Sequence, residues 1–114
     1  MVTIHAEPGK PLCIGRVGEN NARKVIFDFS RWRMIYGPGV VQLIVLRTGE
    51  TTPYPAALTV AGNTATWVIT AADTAIHGEW GKAELRYIVN DTLAKSETWR
   101  TVVFDALGEP SETP

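Results

Sequence analysis

The chain has 114 residues, 45% of them hydrophobic and 20% charged, with 11 Lys and Arg against 12 Asp and Glu for a formal net charge of −1. That length suits one domain with its own core, the composition is neither disordered nor collagen-like, and no apolar run reaches the length of a membrane span. The near-neutral charge gives no global field toward nucleic acid or an anionic membrane. A single cysteine, Cys13, excludes an intrachain disulfide and fits synthesis in a reducing cytosol.

Met1-Val2-Thr3-Ile4-His5 carry no positively charged leader, signal-length apolar stretch or cleavage site, so nothing in them is expected to direct secretion. Residues 1–23 read as an N-terminal arm or edge strand, in which Val2 and Ile4 alternate as an added strand would. Gly15-Arg16-Val17-Gly18 has the spacing of half a phosphate loop without its last glycine or its Lys-Ser/Thr pair, and is read as a flexible turn. Residues 24–29 place Val25, Phe27 and Phe29 on one face and Asp28 on the other, as in a half-buried strand. Ser30 is expected to cap a short helix carrying Trp32, Ile35 and Tyr36 at i, i+3, i+4 spacing, stopped by Gly37-Pro38. Residues 40–46, apolar on both faces apart from Gln42, are expected to form a central strand.

Gly62-Asn63 between two alternating runs predicts a tight hairpin, with Trp67 and Ile69 facing inward beyond it. Thr70 to Ala75 is read as a corner between two sheets. Ala83, Leu85, Tyr87 and Val89 share one face of the next strand, and Asn90-Asp91 turns the chain. From Leu93 to Phe104 the inward set conflicts, since Trp99 and Val103 alternate with Val102 and Phe104; a bulge resolves such a conflict. Residues 105–114, with two prolines and two further glutamates after Asp105, are read as a linker or tail. The whole predicts an all-β, immunoglobulin-like antiparallel β-sandwich of seven to eight strands with one or two helical turns, occupying residues 24–104. Its core is expected to rest on Phe27, Phe29, Leu43, Val45, Trp67, Leu85 and Tyr87.

Residues that carry chemistry are scattered. His5 and His77 lie far apart in no metal-ligand spacing, and Cys13 has no predicted helix N-terminus or neighbouring base to activate it. No Gly-x-Ser-x-Gly elbow accompanies the three serines. Asp73 and Glu79 are the carboxylate pair considered for hydrolysis, and Asn90-Asp91-Thr92 fits a glycosylation sequon but reads as a turn. No catalytic residue, cofactor or metal is expected. Of four tryptophans, Trp67 and Trp99 read as core, whereas Trp32 and Trp80 lie beside turns near Arg31, Arg33 and Lys82. Tryptophan beside arginine suits a protein interface or a sugar-stacking platform.

The string Val25-Ile-Phe-Asp-Phe29, the 40–46 strand, Tyr54-Pro55, the hairpin from Gly62 to Trp67, the 70–75 corner and Ala83-Glu-Leu-Arg-Tyr87 together resemble the N-terminal domain of phage baseplate upper proteins and related prophage tail proteins. The resemblance covers residues 24–104. It implies a β-sandwich that fixes a longer chain to the tail, with residues 108–114 where a continuation would begin, and it carries no catalytic residues. The expected function is a non-enzymatic structural and interaction module of a phage or prophage virion tail, made in the bacterial cytoplasm. Its partners would be other tail or baseplate proteins or a second copy, with neither nucleic acid nor membrane insertion. The candidate interface residues are Val2, Ile4, Trp32, Tyr36 and Trp80. The alternative is a carbohydrate-binding or adhesion β-sandwich that stacks sugars on Trp32, Tyr36 or Trp80.

Overall fold

The computed structural model describes residues 1–105, so the tail reading of 105–114 lies, beyond its first residue, outside the described residues. Nine strands and one helix follow in the order β1 (Val2–His5), β2 (Leu12–Arg16), β3 (Arg23–Asp28), α1 (Ser30–Tyr36), β4 (Val40–Leu46), β5 (Tyr54–Ala56), β6 (Thr59–Ala61), β7 (Thr64–Val68), β8 (Gly78–Val89) and β9 (Thr92–Phe104). They form two packed sheets of order β1-β3-β7-β6 and β2-β9-β8-β4-β5. The strands exceed the seven to eight expected, and the sheets are not purely antiparallel: β1 runs parallel to β3 and β2 parallel to β9. The reason lies in residues 6–11, where Pro8, Gly9 and Pro11 interrupt pairing. The chain leaves the edge of one sheet there and resumes at the edge of the other.

The segment 1–23 thus supplies an edge strand to each sheet. Val2 is exposed and Ile4 half-buried against the core, while Leu12 and Ile14 are fully buried in it. Gly15 and Arg16, expected in a flexible turn, belong to β2, and Val17 and Gly18 form the turn that follows it.

The period-2 reading of the core strands matches the packing. Val25, Phe27, Phe29, Leu43, Val45, Trp67, Ile69, Leu85 and Tyr87 are all buried between the sheets, each large side chain worth about 1.5–3 kcal/mol of burial. Tilted ring pairs join Phe27 to Trp99 at 5.1 Å and Phe29 to Tyr87 at 6.0 Å. β4 is interior, but the middle strand of its sheet is β8. The β6–β7 hairpin turns at Gly62, whose φ of 60° needs no Cβ penalty. In the β8–β9 hairpin both central residues, Asn90 and Asp91, have positive φ, 51° and 60°, as a type I′ turn requires.

Helix α1 departs from its expected start. Ser30 makes no side-chain cap; instead the N-cap is Phe29, and the Ser30 backbone N–H donates to Asp28 Oδ1 at 2.9 Å, two residues before the expected cap. Of its apolar residues only Trp32 packs against the core, its ring 6.1 Å from that of Tyr87. Met34, Ile35 and Tyr36 are exposed. Arg33 donates from Nη1 to Gly62 O at 3.2 Å and to Asn63 Oδ1 at 2.8 Å, tying the helix to the β6–β7 hairpin.

The 70–75 corner carries the chain from β7 in one sheet to β8 in the other, as expected. Thr70 and Asp73 close it reciprocally: Thr70 N–H donates to Asp73 Oδ2 at 2.8 Å and Asp73 N–H to Thr70 Oγ1 at 3.4 Å, the arrangement of a capping box.

Candidate functional site: the outer face of the five-stranded sheet

Cross-strand partners in β8 and β9 share a face, so their register defines what the sheet presents to solvent. Ala83, Leu85 and Tyr87 point into the core, leaving Lys82, Glu84 and Arg86 outward opposite Arg100, Thr98 and Ser96. The adjoining strand β4 sets Leu46, Ile44 and Gln42 beside the same three residues. At the far end β2 pairs Arg16 with Phe104. Two cations, Lys82 and Arg100, therefore stand directly opposite each other, an arrangement that costs stability unless a partner offsets it.

Two bulges in the β8–β9 ladder shape this face, and a third register shift leaves Ile14 between the β2–β9 pairs Cys13–Val102 and Gly15–Val103. Near the hairpin an extra β9 residue lies between the pairs Tyr87–Lys95 and Ile88–Leu93, and at the other end an extra β8 residue lies between Gly78–Val103 and Gly81–Thr101. The bulge expected in 93–104 is thus present at Ala94; beyond it Trp99 and Val103 join the core and Thr101 is buried beside them, Val102 is buried outside the core cluster, and Phe104 is exposed. The second bulge contains Glu79 and Trp80. Gly78 permits it, since its φ is 147° and a Cβ there would meet the Thr48 side chain at 2.4 Å. Thr48 Oγ1 then accepts the Trp80 backbone N–H at 3.2 Å.

Trp80 is consequently held out from the sheet, 72% exposed. The Arg100 guanidinium lies over its ring at 5.3 Å and is itself anchored by donating from Nη1 to Glu79 O at 2.9 Å. Arg16 repeats the motif over Phe104 at 5.9 Å, with Nη1 donating to Asp105 O. Glu84 on this face is paired with Arg86, and Asp105 at its margin faces His77 at 3.7 Å. The face thus combines two exposed aromatic rings with the cations Arg16, Lys82 and Arg100, none in a side-chain ion pair among the described residues.

The expected interface residues fall in three places: Val2 and Ile4 on β1, Trp32 and Tyr36 on α1, and Trp80 in β8. Trp80 is the one that stands in the basic face, Trp32 is half-buried, and Tyr36 and Val2 are exposed. Arg16, Arg100 and Phe104 were not singled out by the sequence; the available signal was their alternation with buried neighbours, which the bulges obscure.

The chemically suggestive residues have structural surroundings. Asp73 is 4% exposed and accepts from Tyr54 Oη at 2.5 Å, Trp67 Nε1 at 3.2 Å and Thr70, so its carboxylate is held by the corner, while Glu79 is exposed. Burial, followed by the hydrogen bond to Asp73, pushes the Tyr54 phenol well above its ordinary value. Cys13 is an exposed thiol on β2. Among the described residues no three His, Cys, Asp or Glu side chains group as metal ligands, and no helix is long and apolar enough to cross a membrane.

No protein-family model and no curated protein sequence matches the chain.

Proposed function

We propose that the chain is a structural and interaction module of a phage or prophage tail, an attachment domain that works through protein–protein contacts. The observation that carries the interaction reading is Trp80, presented by a bulge, stacked by Arg100 and set among unpaired cations on a sheet face. Exposed tryptophan and arginine side by side are the residues that dominate binding energy at interfaces. The tail assignment is supported by the resemblance of residues 24–104 to baseplate upper proteins, and the two-sheet architecture agrees with what that resemblance implies. The charge of the face favours an acidic partner surface.

Antibodies raised against the chain should label tail particles purified from an induced culture of the strain that encodes it. Finding the chain only outside assembled particles overturns the tail reading. For the face itself, Trp80→Ala combined with Arg100→Glu should abolish incorporation while leaving the purified domain folded. Unchanged incorporation moves the contact elsewhere.

A further inference from the structure

A cleft lies on the other side of the five-stranded sheet, beside α1. Its volume is about 150 Å³, its walls include Phe27, Trp32 and Trp99, and its polar groups are Asp28, Arg31 and Glu97. Glu97 is its anomaly. It is registered directly opposite Leu85, which is buried in the core, so Glu97 projects toward the gap between the sheets. Glu97 is half-buried, with its carboxylate oxygens still open to water at the mouth of the cleft. Among the described residues Glu97 has no hydrogen-bond or ion-pair partner, and Arg31, on the same cleft, makes no ion pair either. Asp28 keeps its charge because the Ser30 backbone N–H holds its carboxyl below the usual range.

The lining of the cleft thus combines two carboxylates, a five-donor guanidinium and aromatic side chains. An organic cation would meet Arg31, and an anion would meet two carboxylates. An uncharged ligand with hydroxyl groups that donate and accept, and with an apolar face to lie on an indole, satisfies every part. The size agrees: pockets for drug-sized molecules run to about 300–1,000 Å³, and this one is on the scale of a single ring.

We propose that this cleft is a carbohydrate site that takes one terminal pyranose of a glycan, with Trp32 as the stacking surface, Glu97 and Asp28 as hydroxyl acceptors and Arg31 as donor. It is separate from the Trp80 face and does not rest on the tail assignment. The alternative sugar reading of the sequence named Trp32, Tyr36 and Trp80 together; here the chemistry gathers around Trp32 alone.

The test is a glycan array probed with the labelled chain, followed by titration of the best-bound glycan against variants. Wild type should bind glycans sharing one terminal sugar. Glu97→Gln, which keeps the side chain's shape, should weaken binding about tenfold or more, as loss of charged hydrogen bonds does. Trp32→Phe should weaken it as well, and Trp80→Ala should leave it unchanged. An array without binding above background overturns the proposal. So does binding that is unaffected by Glu97→Gln, or that is lost with Trp80→Ala. Because incorporation into tails reads the Trp80 face and the array reads the cleft, failure of one is distinguishable from failure of the other.

Discussion

Asp73 shows how a residue with catalytic credentials is used structurally. Its carboxylate accepts from Tyr54, Trp67 and Thr70, and these donors come from β5, β7 and the corner itself, so one side chain pins the crossing between the sheets. Removing it leaves the buried Trp67 N–H and the Thr70 N–H without an acceptor, at about 1–3 kcal/mol for each such group. Asp73→Ala should therefore lower the unfolding free energy by about 3 kcal/mol or more in urea titration. Tyr54 adds a pH signature. Its folded-state value is raised above the ordinary 10.0 by burial and by its bond to Asp73. The stabilisation is complete below the unfolded value and is lost as pH rises through the higher folded value. Wild type should lose stability more steeply than Tyr54→Phe above about pH 10, as followed by denaturation at a series of alkaline pH values. Parallel curves would show that the phenol contributes nothing to the corner.

At the scale of elements, the β8–β9 ladder governs which residues become a surface. Counting back from the turn at Asn90-Asp91 without interruption would set Lys82 against Trp99, and would thereby place the indole outward and Arg100 inward. The extra residue near Ala94 moves the register by one, so Lys82 meets Arg100 and Trp99 meets Ala83 in the core. A one-residue slip exchanges the two faces of a strand, which is why the basic face was not readable although its residues were. Gly81 holds the ladder close at the second bulge, because a Cβ there would lie 2.3 Å from Thr101 Oγ1 and 3.0 Å from Leu46 O. Gly81→Ala should cost about 1–3 kcal/mol by overpacking, measured by chemical denaturation, and should alter the fluorescence of Trp80 beside it. Full stability in that variant would mean that the strands separate freely at this point.

For the whole molecule, the first 23 residues decide what a truncation can test. β1 adds an edge strand whose Ile4 is only half-buried, whereas β2 places Leu12 and Ile14 in the core and Trp99 Nε1 donates to Glu7 O at 2.9 Å. Deleting residues 1–5 should leave a cooperatively folding domain, and deleting residues 1–16 should not, as judged by the sharpness of thermal unfolding. The large apolar side chains lost with β2 are worth about 1.5–3 kcal/mol each, a large part of the about 5–15 kcal/mol that separates folded from unfolded states. A stable domain after the longer deletion would show that the sandwich closes without β2. The arm reading therefore has its discriminating test in β1 alone, by comparing tail incorporation of the chain with and without residues 1–5.

Alternation and turn chemistry carried most of the architecture: strands with one buried face, the Gly62-Asn63 and Asn90-Asp91 hairpins and the corner at Thr70 are local consequences of side-chain period and of residues that accept positive φ. The expected core residues are buried for the same reason. A bulge in 93–104 was legible from its conflicting apolar pattern, but strand order, the two parallel pairings and the other bulges were decided only in three dimensions, because they depend on which edges remain open after the hairpins form. The same holds for Glu97: its type and exposure are ordinary in a sequence, and only its pairing with Leu85 turns it toward the cleft beside Trp32. Local preference acts over a few neighbouring residues, whereas a surface or a cleft is made by residues that the register brings together from distant parts of the chain.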